Sequence, residues 1–381
     1  MDRYVRIDNL FKDAKEVKRC LIEDMDRLDS GREMNLQTKE YEAAIREFSE
    51  KGFKCDIDKT GTDYKNMSLE RRLKRYEECL NQILYHIILE RRYYCHIGRS
   101  DMIAGLASHA LTNLGNIAMA LYDGYIPVVD TVEFENIFQG ISKITGQNAW
   151  EFFFRQPFGK KLDEIPKDSR EIYAEGIPQL LATDNTVTNS IAMNFWKRML
   201  RKFMPVSENI LACADAAAEQ LGMRGKRVTG VLCRGTDYMA LRPYQHPVQP
   251  RAEEVIRKTK ETMEQYHCDL CYLATEDENV WQAFKKELGD KLICSQTMYY
   301  EKTEDKMLYE VNAQWKVDVL EKNREYLTAL VLLSRCCCFL SGKTSGMILT
   351  QLLAEKLEYF YAWDYGTYGV SDPQLLQLYM L

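Results

Sequence analysis

The chain has no run of about 18 apolar residues, so it offers no transmembrane helix. Its start, Met1-Asp-Arg-Tyr-Val-Arg, is polar and leads into no apolar stretch of the kind a signal peptide needs. From both absences we expect a cytoplasmic protein. An excess of positive charge is missing too. The formal net charge is −6, which leaves no global basic field and makes nucleic acid a poor partner. The local cluster Glu70-Arg-Arg-Leu-Lys-Arg75 does not change that balance. Internal repeats and low-complexity tracts are absent. The lone CxxC, Cys268 to Cys271, has no second half and no histidines at zinc spacing, so it reads as residues at a strand entry. The 12 cysteines are scattered through expected helices and strands, with Cys336-Cys337-Cys338 in an apolar strand pattern. Reduced, packed thiols are expected.

What is present is an ordinary globular composition over 381 residues, enough for two domains at roughly 100–200 residues each. Residues 1–92 read as a helical extension. Leu10, Phe11, Ala14, Val17, Leu21 and Met25 share one helical face, and Leu69 to Ile87 carry a second such stripe after the capping Ser68. Their expected use is packing or homodimerisation. Residues 93–222 read as a first α/β unit: strand Tyr93–Ile97, a loop with Gly98 and Gly105, helix Leu106–Tyr122 and strand Ile126–Asp130. The aromatic run Trp150 to Phe154 is core by default, with some of it a candidate for lining a cleft. Residues 160–190 look irregular. Residues 223–365 alternate strand and helix throughout, as a doubly wound parallel sheet does, and 366–381 form a tail.

Three strands of the second half empty into polar loops: Arg234-Gly-Thr-Asp237, Thr275-Glu-Asp277 and Ser341-Gly-Lys-Thr-Ser-Gly346. The carboxyl ends of parallel strands lie on one edge, so these loops should meet in one crevice. An arginine there can clamp a diphosphate in bidentate fashion. Hydroxyls and glycine-freed N–H groups at a helix start can hold the same anion. A carboxylate can accept hydrogen bonds from a base or ribose. Taken one at a time, each loop is equally readable as turn and cap residues. Ser341-Gly-Lys-Thr344 has the last residues of a P-loop, but Cys337 stands where that motif needs glycine.

The three motifs together resemble the α-1,6-fucosyltransferase and nodulation-fucosyltransferase group. Gly230-Val-Leu-Cys-Arg-Gly-Thr-Asp237, followed by His246-Pro247, is similar to the group's GVHVRRTD and later HP. Tyr272-Leu-Ala-Thr-Glu-Asp277 is similar to YLATDD, and Phe339-Leu-Ser-Gly-Lys-Thr-Ser-Gly-Met347 to FLVCTFSSQV. The resemblance covers residues 90–365 and implies a GT-B scaffold, two Rossmann-type domains facing a cleft, with the helical extension in front. It implies an inverting fucosyltransferase with a GDP-sugar donor, working without a metal or other cofactor. Arg234 matches the arginine at the donor β-phosphate. Glu276 and Asp277 match the acidic pair at the nucleoside. Thr344 and Ser345 match the pyrophosphate hydroxyls. Thr236, Asp237, His246, Thr275, Ser341 and Gly346 belong to the same donor-binding segments. Leu232, Gly235 and Arg242 depart from the group, standing where it has histidine, a second arginine and a proposed catalytic carboxylate.

The expected protein is therefore a glycosyltransferase with its donor on the C-terminal domain. A glycan or lipid-linked acceptor would sit against the N-terminal domain, in polysaccharide or glycolipid assembly. Asp101, in the first glycine loop, is the candidate base. Such an acceptor would also suit peripheral association with the inner face of a membrane. The rival expectation is a non-catalytic nucleotide-sugar-binding protein on the same fold, which the departures at Gly235 and Arg242 favour.

Overall fold

The computed structural model describes residues 93–101, 104–122, 125–166, 170–175, 190–235, 241–242, 244, 246–296, 299–300 and 318–369. The expected helical extension 1–92, Thr236, Asp237 and most of the tail lie outside the described residues. Among those described, no helix is long and apolar enough to cross a membrane.

The first unit is built on a three-stranded parallel sheet in the order β2-β1-β3. Its elements are β1 (Tyr93–Gly98), α1 (Leu106–Tyr122), β2 (Ile126–Val129), α2 (Gln139–Thr145), β3 (Arg170–Glu175) and α3 (Ser190–Phe203). β3 corrects the reading of 160–190 as irregular throughout. Arg170-Glu-Ile-Tyr-Ala-Glu175 carries three charges in six residues, so it lacks the apolar run that marks a buried strand. Its pairing with β1 from Tyr93↔Arg170 to Gly98↔Glu175 makes it a strand nonetheless. The aromatic run settles into the core: Trp150 stacks on Phe154 at 4.7 Å, and Phe153 is fully buried against Phe138.

α4 (Glu208–Gln220) leads into the second unit, a five-stranded parallel sheet in the order β6-β5-β4-β7-β8. The strands are β4 (Val228–Leu232), β5 (Leu270–Ala274), β6 (Leu292–Ile293), β7 (Cys338–Gly342) and β8 (Tyr359–Trp363). Between them run α5 (Ala252–Gln265), α6 (Glu278–Leu288), α7 (Val319–Ser334) and α8 (Ser345–Leu353). The central strands β4, β5 and β7 are largely apolar because both sheet faces are covered there. Side chains still alternate. Tyr272, Ala274 and Phe339 join the core beneath α7 and α8, while Val231, Leu273, Cys338 and Leu340 join the core beneath α5 and α6.

Numbered within the unit, the strand order is 3-2-1-4-5. The winding therefore reverses between β4 and β7, and that reversal opens a crevice at the strand carboxyl ends. α8, which leaves β7 at this point, packs against α1 and α3 of the first unit. One buried core continues through both units, with α7 near its centre.

Leu330 of α7 is fully buried in that core. We expect Leu330→Ala to cost about 2–5 kcal/mol in a chemical denaturation curve, the range for an uncollapsed leucine cavity. A loss below about 1 kcal/mol would show that α7 does not hold this central place.

Candidate functional site

Strand register places the three polar loops side by side. Leu232 pairs with Ala274 on one flank and with Ser341 on the other. One residue further on, the Cys233 N–H donates to the Ala274 carbonyl at 3.0 Å. Arg234 therefore emerges between Thr275-Glu-Asp277 and Gly342-Lys-Thr344, at the point where the strand order reverses. It is half-buried. Cys233 beneath it is sealed in, and burial, followed by the nearby Asp277 charge, pushes its thiol up to about 12. That thiol stays protonated and serves as packing.

The β5 loop is tightly built. Thr275 is buried; its N–H donates to Gln296 at 3.0 Å and its hydroxyl accepts from the Asp277 N–H at 3.1 Å. Asp277 caps α6, with Oδ1 accepting from Asn279 and Val280 N–H at 2.8 and 3.1 Å. The carboxylate also lies over Gly235. A Cβ at Gly235 would overlap it, coming 2.8 Å from the Asp277 Cγ. This accounts for one departure from the resembling group: with Asp277 so placed, no side chain fits at 235. Glu276 is half-buried and pairs with Lys322 at 3.4 Å, and the same ammonium donates to Tyr300 at 3.1 Å.

The β7 loop divides its duties. Ser341 is fully buried and donates its hydroxyl to the Gly342 carbonyl at 2.7 Å, so it shapes the turn. Lys343 pairs with Asp364 beyond β8 at 2.7 Å, an arrangement unlike a phosphate-reaching P-loop lysine. Thr344 is the N-cap of α8, its Oγ1 accepting from Met347 N–H at 3.1 Å. Ser345 and Gly346 open the helix, where N–H groups and the helix dipole favour an anion. The Tyr326 ring of α7 approaches Gly346 so closely that a Cβ would strike its hydroxyl, and Leu232 lies 3.2 Å from the same point.

His246 lies in a strap across the β8 side. His246 carbonyl accepts from Tyr368 N–H at 2.9 Å, and Val248 N–H donates to Gly366 at 3.0 Å. Gln249, buried, ties the strap to the β7 loop by donating to Lys343 carbonyl at 3.1 Å. The His246 ring nitrogen Nδ1 is 2.9 Å from the Tyr244 carbonyl, so the ring closes its own loop. Gln249, Gln296, Lys322 and Tyr326 were not foreseen. Each is a single polar residue without a motif, and only the fold brings it here.

In the first unit, Asp101 pairs with Arg99 through Oδ2 and accepts from Ala104 N–H through Oδ1 at 3.0 Å. Arg99 also donates to Ser108 at 2.8 Å and Thr112 at 3.3 Å, binding the loop to α1. His109 sits beneath this cluster, edge-on to Phe138 at 5.3 Å, its Nε2 buried without a hydrogen-bond partner. Burial first, and then the Arg99 guanidinium, lowers its pKa from 6.5 to about 4. It is a neutral imidazole at pH 7.

No protein-family model matches the chain, and no curated protein matches it in sequence. Among solved structures it is similar to NodZ alpha-1,6-fucosyltransferase soaked with GDP-fucose, with 13% identity and a TM-score of 0.43, covering 69% of this chain and 93% of that one. A structure of NodZ from Bradyrhizobium gives the same identity and TM-score, over 69% and 94%. POFUT1 in complex with GDP is similar at 10% identity and a TM-score of 0.39, over 74% and 99%.

Two outcomes follow from the geometry. Gly235→Ala should destabilise by about 1–3 kcal/mol through overpacking. Asp277→Ala should cost about 1 kcal/mol through the lost cap. The double variant should lose less than the sum, since removing the carboxylate makes room for the Cβ; strict additivity in denaturation would contradict the contact. Second, His109 binds its proton less readily folded than unfolded. Its contribution to stability is complete above about pH 6.5 and is lost as the pH falls towards 4, by up to about 3 kcal/mol. His109→Gln should flatten the fall in urea midpoint between pH 6.5 and 5; an unchanged slope would contradict the buried neutral imidazole.

Proposed function

We propose that the chain is an inverting glycosyltransferase that binds a nucleoside-diphosphate sugar at the carboxyl ends of β4 and β7. One observation carries this reading: Arg234 and the capped start of α8 flank the reversal point of a 3-2-1-4-5 sheet. That pairing of a guanidinium with a helix N-terminus suits a diphosphate. Guanine and fucose are what the resembling group uses, and they are the donor base and sugar proposed here.

The chemistry asked of the chain is modest. An acceptor hydroxyl oxygen attacks the anomeric carbon from the face opposite the diphosphate. The bond from that carbon to the diphosphate oxygen breaks, and its electrons leave with the nucleotide. Arg234 and the α8 N–H groups stabilise this departing charge. They take the part that a divalent cation plays in other transferases. The acceptor proton must pass to a base. Asp101 stands as the candidate, although both its oxygens are engaged and one would have to release its partner. The acceptor is a glycan or a lipid-linked sugar on the first-unit side. Homodimerisation through residues 1–92 and peripheral membrane attachment belong to the same proposal, as does a cytoplasmic setting.

A second reading, a non-catalytic nucleotide-sugar binder, is favoured by one feature. Asp277 closes off position 235, so the loop carries a single arginine where the resembling group has two. Donor hydrolysis and transfer assays separate the two readings.

Arg234→Ala should lower transfer by about 10²–10³-fold, the cost of one preorganised charge-stabilising donor, with circular dichroism unchanged. Near-normal turnover would remove Arg234 from the reaction, and tight donor binding without any turnover by the parent chain would favour the binder. EDTA should leave the rate unchanged. Inhibition that Mn²⁺ reverses would contradict the metal-free reaction.

A further inference from the structure

The opposite edge of the second sheet, where its strands begin, carries a cluster of thiols that the donor site does not use. Cys268 precedes β5, Cys337 precedes β7 and Cys338 opens β7. Cys268 and Cys337 lie 69 residues apart in the chain, yet their sulfurs are 3.5 Å apart. Those of Cys337 and Cys338 are 3.9 Å apart, and all three fall within 4.8 Å of one another. Backbone geometry holds them there. His267 takes a left-handed φ of 51°, uncommon outside glycine, and the turn closes with Cys268 N–H donating to Met263 at 2.8 Å. Cys337 is fixed from both sides, its N–H on the Val228 carbonyl at 3.0 Å and its carbonyl accepting from Glu358 N–H at 2.8 Å.

We propose that Cys268, Cys337 and Cys338 bind a thiophilic d¹⁰ cation, Zn²⁺ or Cu⁺. Two thiolates on one such ion, each about 2.3 Å from it, stand roughly 3.8 Å apart, and the observed separations bracket that value. Soft sulfur donors select these cations over Mg²⁺ or Ca²⁺. Adjacent cysteines in a regular strand would point to opposite faces. Cys337 lies just before the strand, which frees its sulfur to stay beside that of Cys338.

The surroundings suit the resulting charge. Three thiolates around Zn²⁺ leave one net negative charge, and around Cu⁺ two. A pocket of about 410 Å³ opens beside Cys337, lined by Lys226, Arg227, Arg335 and Lys356. Arg227 is bidentate to Glu358 at 2.7 and 3.1 Å, and Arg335 pairs with Asp215 at 2.8 Å. The two lysines leave the rim positive. Cys268 and Cys338 are buried while Cys337 faces the pocket, so an ion held here has an open side for water or a small anion. The ion would staple the turn before β5 to the entry of β7, beneath β4.

The full-length chain, reduced and stripped of metal, should be titrated with Zn²⁺ against a chromophoric chelator and with Cu⁺ against a Cu⁺-specific one. Co²⁺ serves as a spectroscopic stand-in for Zn²⁺. The expected result is one equivalent per chain of one of the two ions and, if that ion is Zn²⁺, thiolate-to-metal charge transfer in the near ultraviolet when Co²⁺ takes its place. Cys268→Ser, Cys337→Ser and Cys338→Ser should each weaken binding by about tenfold or more, while Cys213→Ser on α4 should not. Bound metal should also raise the thermal midpoint of the parent chain, a reading that needs no variant to fold. Failure of the reduced parent to take up either ion would overturn the proposal. So would uptake that survives all three substitutions, or a Cys268–Cys337 disulfide in non-reducing peptide maps with no metal bound.

Discussion

The parallel pairing of β4 with β5 on one side and β7 on the other is the constraint on which the candidate site depends. It aligns Leu232 with both Ala274 and Ser341. Three loops far apart in the chain then leave the sheet at one level. Because β7 follows a long excursion back across β4, the helices after β5 and β7 lie on opposite faces and the loops part between them. A one-residue slip of β4 would move Arg234 out of this gap and turn Val231 away from the core it fills. The buried strands therefore fix the position of the charge.

Within that frame, most of the polar atoms in the loops are committed to the loops themselves. Asp277 and Thr344 cap α6 and α8, Ser341 closes a turn, Glu276 holds Lys322 and Lys343 reaches Asp364. These side chains are rigid because they are engaged. Rigidity of this kind is what a diphosphate site needs, since donors already in place cost little to organise when charge develops. The diphosphate site proposed above lies against Arg234 and the first N–H groups of α8.

Much of this was legible in the sequence, for a physical reason. Strands covered on both faces must be apolar throughout, so β4, β5 and β7 stood out between polar loops, and their carboxyl ends named the candidate segments. β3 was not legible because Arg170-Glu-Ile-Tyr-Ala-Glu175 is too charged to look buried. The sequence marked Gly235 as a departure from the resembling group. Its cause, the Asp277 carboxylate lying over it, needed the packing of two loops 42 positions apart. The CxxC at Cys268 had no visible partner because its neighbours in space, Cys337 and Cys338, arrive from another strand.

A second basic surface, the pocket at Lys226, Arg227 and Lys356, lies at the far edge of the same sheet. Hydrogen–deuterium exchange with and without GDP decides between the two edges. Binding at the β4 and β7 carboxyl ends should slow exchange together at residues 233–235, 275–277 and 342–347, with 226–228 and 335–337 unchanged. Protection at 226–228, 335–337 and 356–358 instead, or none at the first three segments at saturating GDP, would contradict it.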